Sequence, residues 1–533
     1  MAEGELPIES DPVELEAGPH TVFCNFQRTE ARKGKRPVAG EGRLQLLWSG
    51  EQFVWEPVSP EAFRHPANAL VEAKDKTRRG RDLFAAVGCI RCHEPDRKEV
   101  DPEHAMPELL ETLPDFAHIG ARLRQGWVEQ WVRQPKDHCP GVAQDEAHHV
   151  AAYLASKIDR ELEAPEGDAE KGKALAEALH FQPWAEELAA EAKHTPGGLH
   201  RFLLDPAAHH PDTTFPHLRL HETEAADLAA WIRSKQPDAP EPAPGDPVKG
   251  RETVSKHCLV CHGGSDEKTD YEFPAKPLRE MWDEEWLDHG CLSEEEGDAP
   301  ELGLTLDAKQ ALLAFKNVDS DGGLKSLNRF VPHEYAARTV GCLRCAECHS
   351  EENDLPSIAF PGEKFRDDWL ADLFRGDTLK ARPWLEARMP AFASRAEPLA
   401  KGLAHGAGAT TDDPLVAPDP PLADAGAKIA GPTGYACTTC HAAGKEPALQ
   451  AFEGQGPNLQ ISGERLREGF YQSWMHWPQR FLPTTIMPKY TADKHTALNP
   501  SFFEGDAAEQ FEAVRQWMRT LEGAEKAPLP AGE

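Results

Sequence analysis

The chain has no apolar run approaching the roughly 18 residues that a helix needs to cross a bilayer. Its opening, Met1 to Ser10, lacks the apolar stretch of a secretory signal. Positive charge is scarce: 58 Lys and Arg stand against 90 Asp and Glu, a net charge of −32. That balance argues against nucleic acid or an anionic membrane as partner and suits a basic partner or a solvated acidic surface. Also missing, in the structural context each requires, are a Gly-rich nucleotide loop, a Walker motif, a Ser nucleophile elbow and a zinc-protease helix.

What is present is a repeated thiol motif. Of 12 cysteines in 533 residues, eight fall into four Cys-x-x-Cys-His segments: Cys89/Cys92/His93, Cys258/Cys261/His262, Cys345/Cys348/His349 and Cys437/Cys440/His441. Two thiols at that spacing can each add across a vinyl group of one porphyrin, and the adjoining imidazole is then held beneath the iron. A zinc ribbon also uses paired Cys-x-x-Cys, but it has no need of His directly after every pair. The expected cofactors are therefore four covalently attached haem c groups. In the third segment Cys342 precedes Cys345 at the same spacing, and only the Cys345/Cys348 pair is followed by His. Cys24, Cys139, Cys291 and Cys342 remain, an even number that permits disulfides in an oxidising compartment without fixing their pairing.

The sixth ligand of each iron sets potential and chemistry. Met389 and Met487 each precede Pro, about forty to fifty residues after a motif, and are expected on haems three and four. For haem two the nearby candidates are Met281 and His289. Haem one has Met106, which precedes Pro107 but comes early, together with His104, His118 and His138; His138 stands nearest to where a Met-Pro is missing. An open position on that iron is the alternative.

Typical domain sizes of roughly 100 to 150 residues suggest four or five units. Leu83 and Phe84 before Cys89, Ile119 to Leu123, and the helix Asp145 to Ser156 with apolar Ala147, Val150, Ala151 and Leu154 make residues 71–160 resemble a class I cytochrome c. Gly456-Pro457-Asn458-Leu459, Trp474 to Pro478, Ile486-Met487-Pro488 and a helix from Ala507 carry the same resemblance in 411–533. The helix Glu363 to Phe374 leads to Met389-Pro390 in 336–410, and Gly245 to Arg251 opens 241–335. Residues 161–240 repeat this grammar without thiols, with Phe215 where Met would stand, and end in the Pro-rich linker Gln236 to Gly245. Residues 1–70 alternate in His20 to Phe26 and Arg43 to Trp48, read as strands about a turn from Arg32 to Gly42. They resemble part of a lectin-like protective-antigen sandwich, which implies glycan or cell-wall contact.

The expected fold is thus mainly α: tandem class I cytochrome c-like domains preceded by a small β-rich domain. This architecture resembles multihaem cytochromes secreted by planctomycetes and related bacteria. The resemblance implies a periplasmic or extracellular tetrahaem protein that relays single electrons between redox partners with a basic docking face, as a subunit of a larger complex or alone. A haem enzyme, a peroxidase or small-molecule reductase centred on an open haem one, is the alternative, and a carrier is expected before a catalyst. Export is inferred because haem attachment of this kind takes place outside the bacterial cytoplasmic membrane.

Overall fold

The structure, a computed structural model, describes residues 13–14, 16, 18–23, 31–33, 36–38, 45–58, 62–64, 68–93, 100–135, 142–158, 160–259, 262, 276–282, 285–288, 291–293, 302–318, 323–350, 355–358, 360–409, 415–449 and 454–524. Two units are distinguished, Met1–Leu46 and Leu47–Glu533.

In the first unit β1 (Ala31–Lys33) and β2 (Arg36–Val38) form an antiparallel hairpin with Ala31 opposite Val38. This hairpin occupies the stretch expected to be a turn. Residues 20–23 are not strand, and 24–26 lie outside the described residues. The second unit opens with another short pair, β3 (Leu47–Trp48) on β4 (Glu56–Pro57). Two such pairs are too small to bury a face of their own, so the expected β-rich domain is corrected to bare two-stranded hairpins.

Ten helices of the second unit pack in pairs: α1 (Ala69–Val87), α2 (Ala147–Ala155), α3 (Ala169–Ala178), α4 (Glu222–Ser234), α5 (Pro247–His257), α6 (Leu306–Lys316), α7 (Pro332–Cys342), α8 (Ala396–Gly406), α9 (Pro420–Ala430) and α10 (Ala507–Met518). Their starts are written in the local sequence. The Asp168, Asp419 and Asp506 carboxylates and the Thr305 hydroxyl each accept from backbone N–H groups of the first helical turn, satisfying donors that the helix leaves open. Pro247 and Pro420 sit in the first turn, where a missing N–H costs nothing.

The pairing order was not visible in the sequence. Helix α1 packs on α6, α2 on α5 and α3 on α4, so three pairs are nested one inside the next; α7 on α8 and α9 on α10 then follow in series. Each pair crosses at a glycine. A Cβ on Gly80 would strike the Ala311 carbonyl, and one on Gly250 the His149 carbonyl; Gly172, Gly402 and Gly426 meet Asp227, Pro332 and Ala513 in the same way. Helices that approach this closely tolerate no side chain at the contact.

The nesting corrects the tandem arrangement. The helix before Cys89 is completed by one from the segment expected to belong to the second motif, and the helix before Cys258 by one from the segment expected to belong to the first. Further links bind the pairs into one body. Leu123 bridges His194, with Arg124 N–H donating to Lys193 O at 3.0 Å and Thr195 N–H to Arg122 O at 2.9 Å. Phe365 bridges Leu466 likewise, with Arg366 N–H to Arg465 O at 2.9 Å and Arg467 N–H to Lys364 O at 3.0 Å. That second bridge pulls Phe365 and Arg366 out of helical geometry. The helix expected over Glu363 to Phe374 is therefore two, Pro361–Lys364 and Asp367–Arg375. Arg338 on α7 reaches Asp82 on α1 at 3.0 Å and also pairs with Glu108, while Arg81 pairs with Glu334.

Candidate functional site

Each Cys-x-x-Cys-His segment follows directly on a packed helix. Gly88, Arg344 and Ala436 turn the chain through left-handed backbone, φ 74°, 55° and 55°, just before Cys89, Cys345 and Cys437. In all four segments the His backbone N–H donates to the first Cys carbonyl: His93 to Cys89 at 3.0 Å, His262 to Cys258 at 2.8 Å, His349 to Cys345 at 2.9 Å and His441 to Cys437 at 3.0 Å. Cys261 lies outside the described residues.

The side chains of the four histidines are fixed in one way. Nδ1 meets a backbone carbonyl in every case: His93 on Lys276 at 2.8 Å, His262 on Pro114 at 2.8 Å, His349 on Pro356 at 2.7 Å and His441 on Pro457 at 2.7 Å. A carbonyl only accepts, so each Nδ1 carries the proton and each Nε2 keeps a lone pair. Burial holds His262, His349 and His441 neutral by lowering their pKa values. Gly456 lies flat on His441, and a Cβ there would enter the imidazole ring.

Burial pushes Cys89 and Cys437 up to about 12 and Cys345 up to about 11, so these three thiols are poor thiolate ligands for a metal ion.

The first two segments open onto one cavity of about 1350 Å³, larger than the usual single small-molecule pocket. Cys89, Cys92, His93, Cys258 and His262 line it, with Trp127 and Trp131 among its aromatic walls. Its lining includes residues of the outer two of the three nested pairs, so neither segment has a chamber made only of its own sequence neighbours.

Met389 packs in the same core as Cys345, and Met487 in the same core as Cys437. The Met487 sulfur accepts from Trp474 Nε1 at 3.0 Å. Met281, expected near Cys258, packs instead in the core that holds Phe84 and Cys89, while Cys258 belongs to the core of Val128 and Val150. Met106 is buried in the Cys89 core as well. His104 is exposed and bonded to Asp101 at 2.8 Å, away from the cavity lining. His118 is half-buried at left-handed φ 53°. His138, His289, Cys24 and Cys139 lie outside the described residues, whereas Cys291 and Cys342 both line the cavity. Sequence reasoning missed the carbonyl partners Lys276 and Pro114, because nothing local ties them to residues so far along the chain.

Among the described residues, one set of three or more His, Cys, Asp or Glu brings ligand atoms within 4.8 Å of one another: the exposed Asp101, Glu103 and His104. No Cys–His set among the described residues converges in that way. With the tandem repeats replaced by a nested body, this corrects the expected tetrahaem relay of single electrons and its haem-enzyme alternative. No protein family, no curated protein and no solved structure matches the chain. The resemblances to multihaem cytochromes and to the lectin-like sandwich are corrected with it. No helix among the described residues is long and apolar enough to cross a membrane.

Proposed function

We propose that the four loops are attachment sites for haem c, and that the protein is a holder of prosthetic groups rather than a catalyst. Cys89 and Cys92, Cys258 and Cys261, Cys345 and Cys348, and Cys437 and Cys440 would form the thioethers. His93, His262, His349 and His441 would be axial ligands. The observation that carries the reading is the shared imidazole geometry. Four histidines at one motif position donate Nδ1 to a carbonyl and leave Nε2 unprotonated, as metal-bound histidines do.

A porphyrin brings four nitrogens and its own iron, so each loop would add one imidazole to it. A zinc knuckle asks for four converging atoms, which the described thiols and imidazoles do not offer. Bound haem would supply reversible one-electron chemistry at its iron.

Met389 and Met487 are proposed as second axial ligands of the third and fourth groups, since each shares a core with its thiols. Attachment of this kind implies an oxidising compartment, periplasmic or extracellular, and the net charge of −32 would favour a basic protein partner whose association weakens with salt. Intact mass of the denatured chain, with an alkaline pyridine spectrum, tests the reading. Four macrocycle increments are expected; an unmodified mass from a host able to attach haem c would end it.

A further inference from the structure

The link between the third and fourth loops buries positive charge without an acid to balance it. The reciprocal backbone bonds set Arg366 opposite Arg465 and Lys364 opposite Arg467, and the Lys364 ammonium and Arg465 guanidinium both approach the Phe365 ring, at 5.2 and 5.3 Å. Arg465 is 5% exposed, and its Nε has no partner. Its guanidinium lies 5.3 Å from the Phe365 ring and 5.7 Å from that of Trp369, which pack with the core around Cys345. The Lys364 ammonium lies 5.4 Å from Phe470 and 5.7 Å from Trp474, and Trp474 packs with the core around Cys437. Arg465 therefore reaches over the aromatic wall of the opposite loop, and Lys364, which also lies against the Phe365 ring, touches the walls of both.

Arg382 completes the group. Burial, with Arg465 and Arg382 nearby, lowers Lys364 to about 7, and burial with Arg382 lowers Arg465 to about 9; among the described residues no carboxylate acts on any of the three. The acid next in sequence, Glu363, feels Glu56 instead. Three neighbouring cations in a partly dry site, two of them lying against ring faces, are costly unless an anion joins them.

We propose that Lys364, Arg382 and Arg465 form an anion site for paired carboxylates, filled by the propionate groups of haem attached at Cys345/Cys348 and Cys437/Cys440. This rests on the haem reading above. Arginine suits it through its two-pronged donor geometry and lysine as a point charge. The bridge gives the site one cation from each of its two strands, so that one site serves both loops.

The test compares heat unfolding of the full chain with Lys364→Gln and Arg465→Gln, each in two backgrounds: haem-bearing, and with Cys345, Cys348, Cys437 and Cys440 replaced by Ala. Intact mass records the haem count, and succinate serves as a free dicarboxylate. In the haem-bearing chain each variant lowers Tm by roughly 2–6 °C, whereas in the Ala background it leaves Tm unchanged or raises it. Unchanged or higher Tm in the haem-bearing variants overturns the site. A chain that carries no haem refutes the parent reading separately. In that case, stabilisation by succinate that Lys364→Gln abolishes keeps the site with a free anion as its source, and no stabilisation removes the site too.

Discussion

His262 donates its Nδ1 proton to the carbonyl of Pro114, a residue 148 positions earlier in the chain. His93 does the reverse, reaching forward 183 positions to Lys276. Each imidazole is thus positioned by the part of the chain expected to serve the other. Replacing Cys258 and Cys261 with Ala is expected to lower the intact mass by one macrocycle and leave the other three attached. Loss of all four would mean that the loops are not independent attachment sites.

Gly456 is the floor beneath His441. Gly456→Ala places a methyl group inside the ring, so the imidazole must leave Pro457. On the proposed haem reading the expected outcome is an altered ligand field at one haem in four, read as new carbon monoxide binding in the visible spectrum while the haem count stays constant. An unchanged spectrum would remove His441 from the axial position.

The nested pairs depend on glycine at their crossings. Gly80→Val and Gly250→Val should each cost roughly 2 kcal/mol or more, because the added branches meet backbone carbonyls that cannot yield. Urea unfolding measures this. Gly341→Val is a suitable control, since a Cβ at that position meets nothing within 4 Å; it should show only the smaller helix-propensity effect.

Glu363 gives a pH signature. Burial first, and then the neighbouring Glu56, raise its carboxyl from 4.5 to about 7. Between those values the native chain holds a proton that the unfolded chain has released, so stability falls as pH rises across that window. Glu363→Gln should match the parent below pH 4.5 and exceed it above pH 7, by about 1 kcal/mol after allowance for partial exposure. Parallel stability curves at all pH values would contradict the assignment.

Local features were legible. The spacing of Ala147, Val150, Ala151 and Leu154 marks one helix face, and all four are buried in α2. The four loops were legible for the same reason, since thiol spacing is a property of five consecutive residues. Helix partnership was not. Gly80 and Gly250 announce a close crossing, but a glycine fits any backbone and says nothing of whose. Met281 shows the consequence. It stands near Cys258 in sequence and packs with Cys89, because nesting exchanges the segments after each loop. The break at Phe365 and Arg366 is a case of tertiary pairing with Leu466 overriding a helical pattern.

The nesting also sets a timetable. During synthesis His93 emerges long before Lys276 and stays without its carbonyl until the intervening chain has been made and folded inside it. Both members of the innermost pair, α3 and α4, have been made before α5 completes the next pair and α6 the outermost. The earliest-made loop is thus the last of the three nested layers to have its partner available, and a chain cut short after residue 240 would lack the second loop and leave His93 without the Lys276 carbonyl.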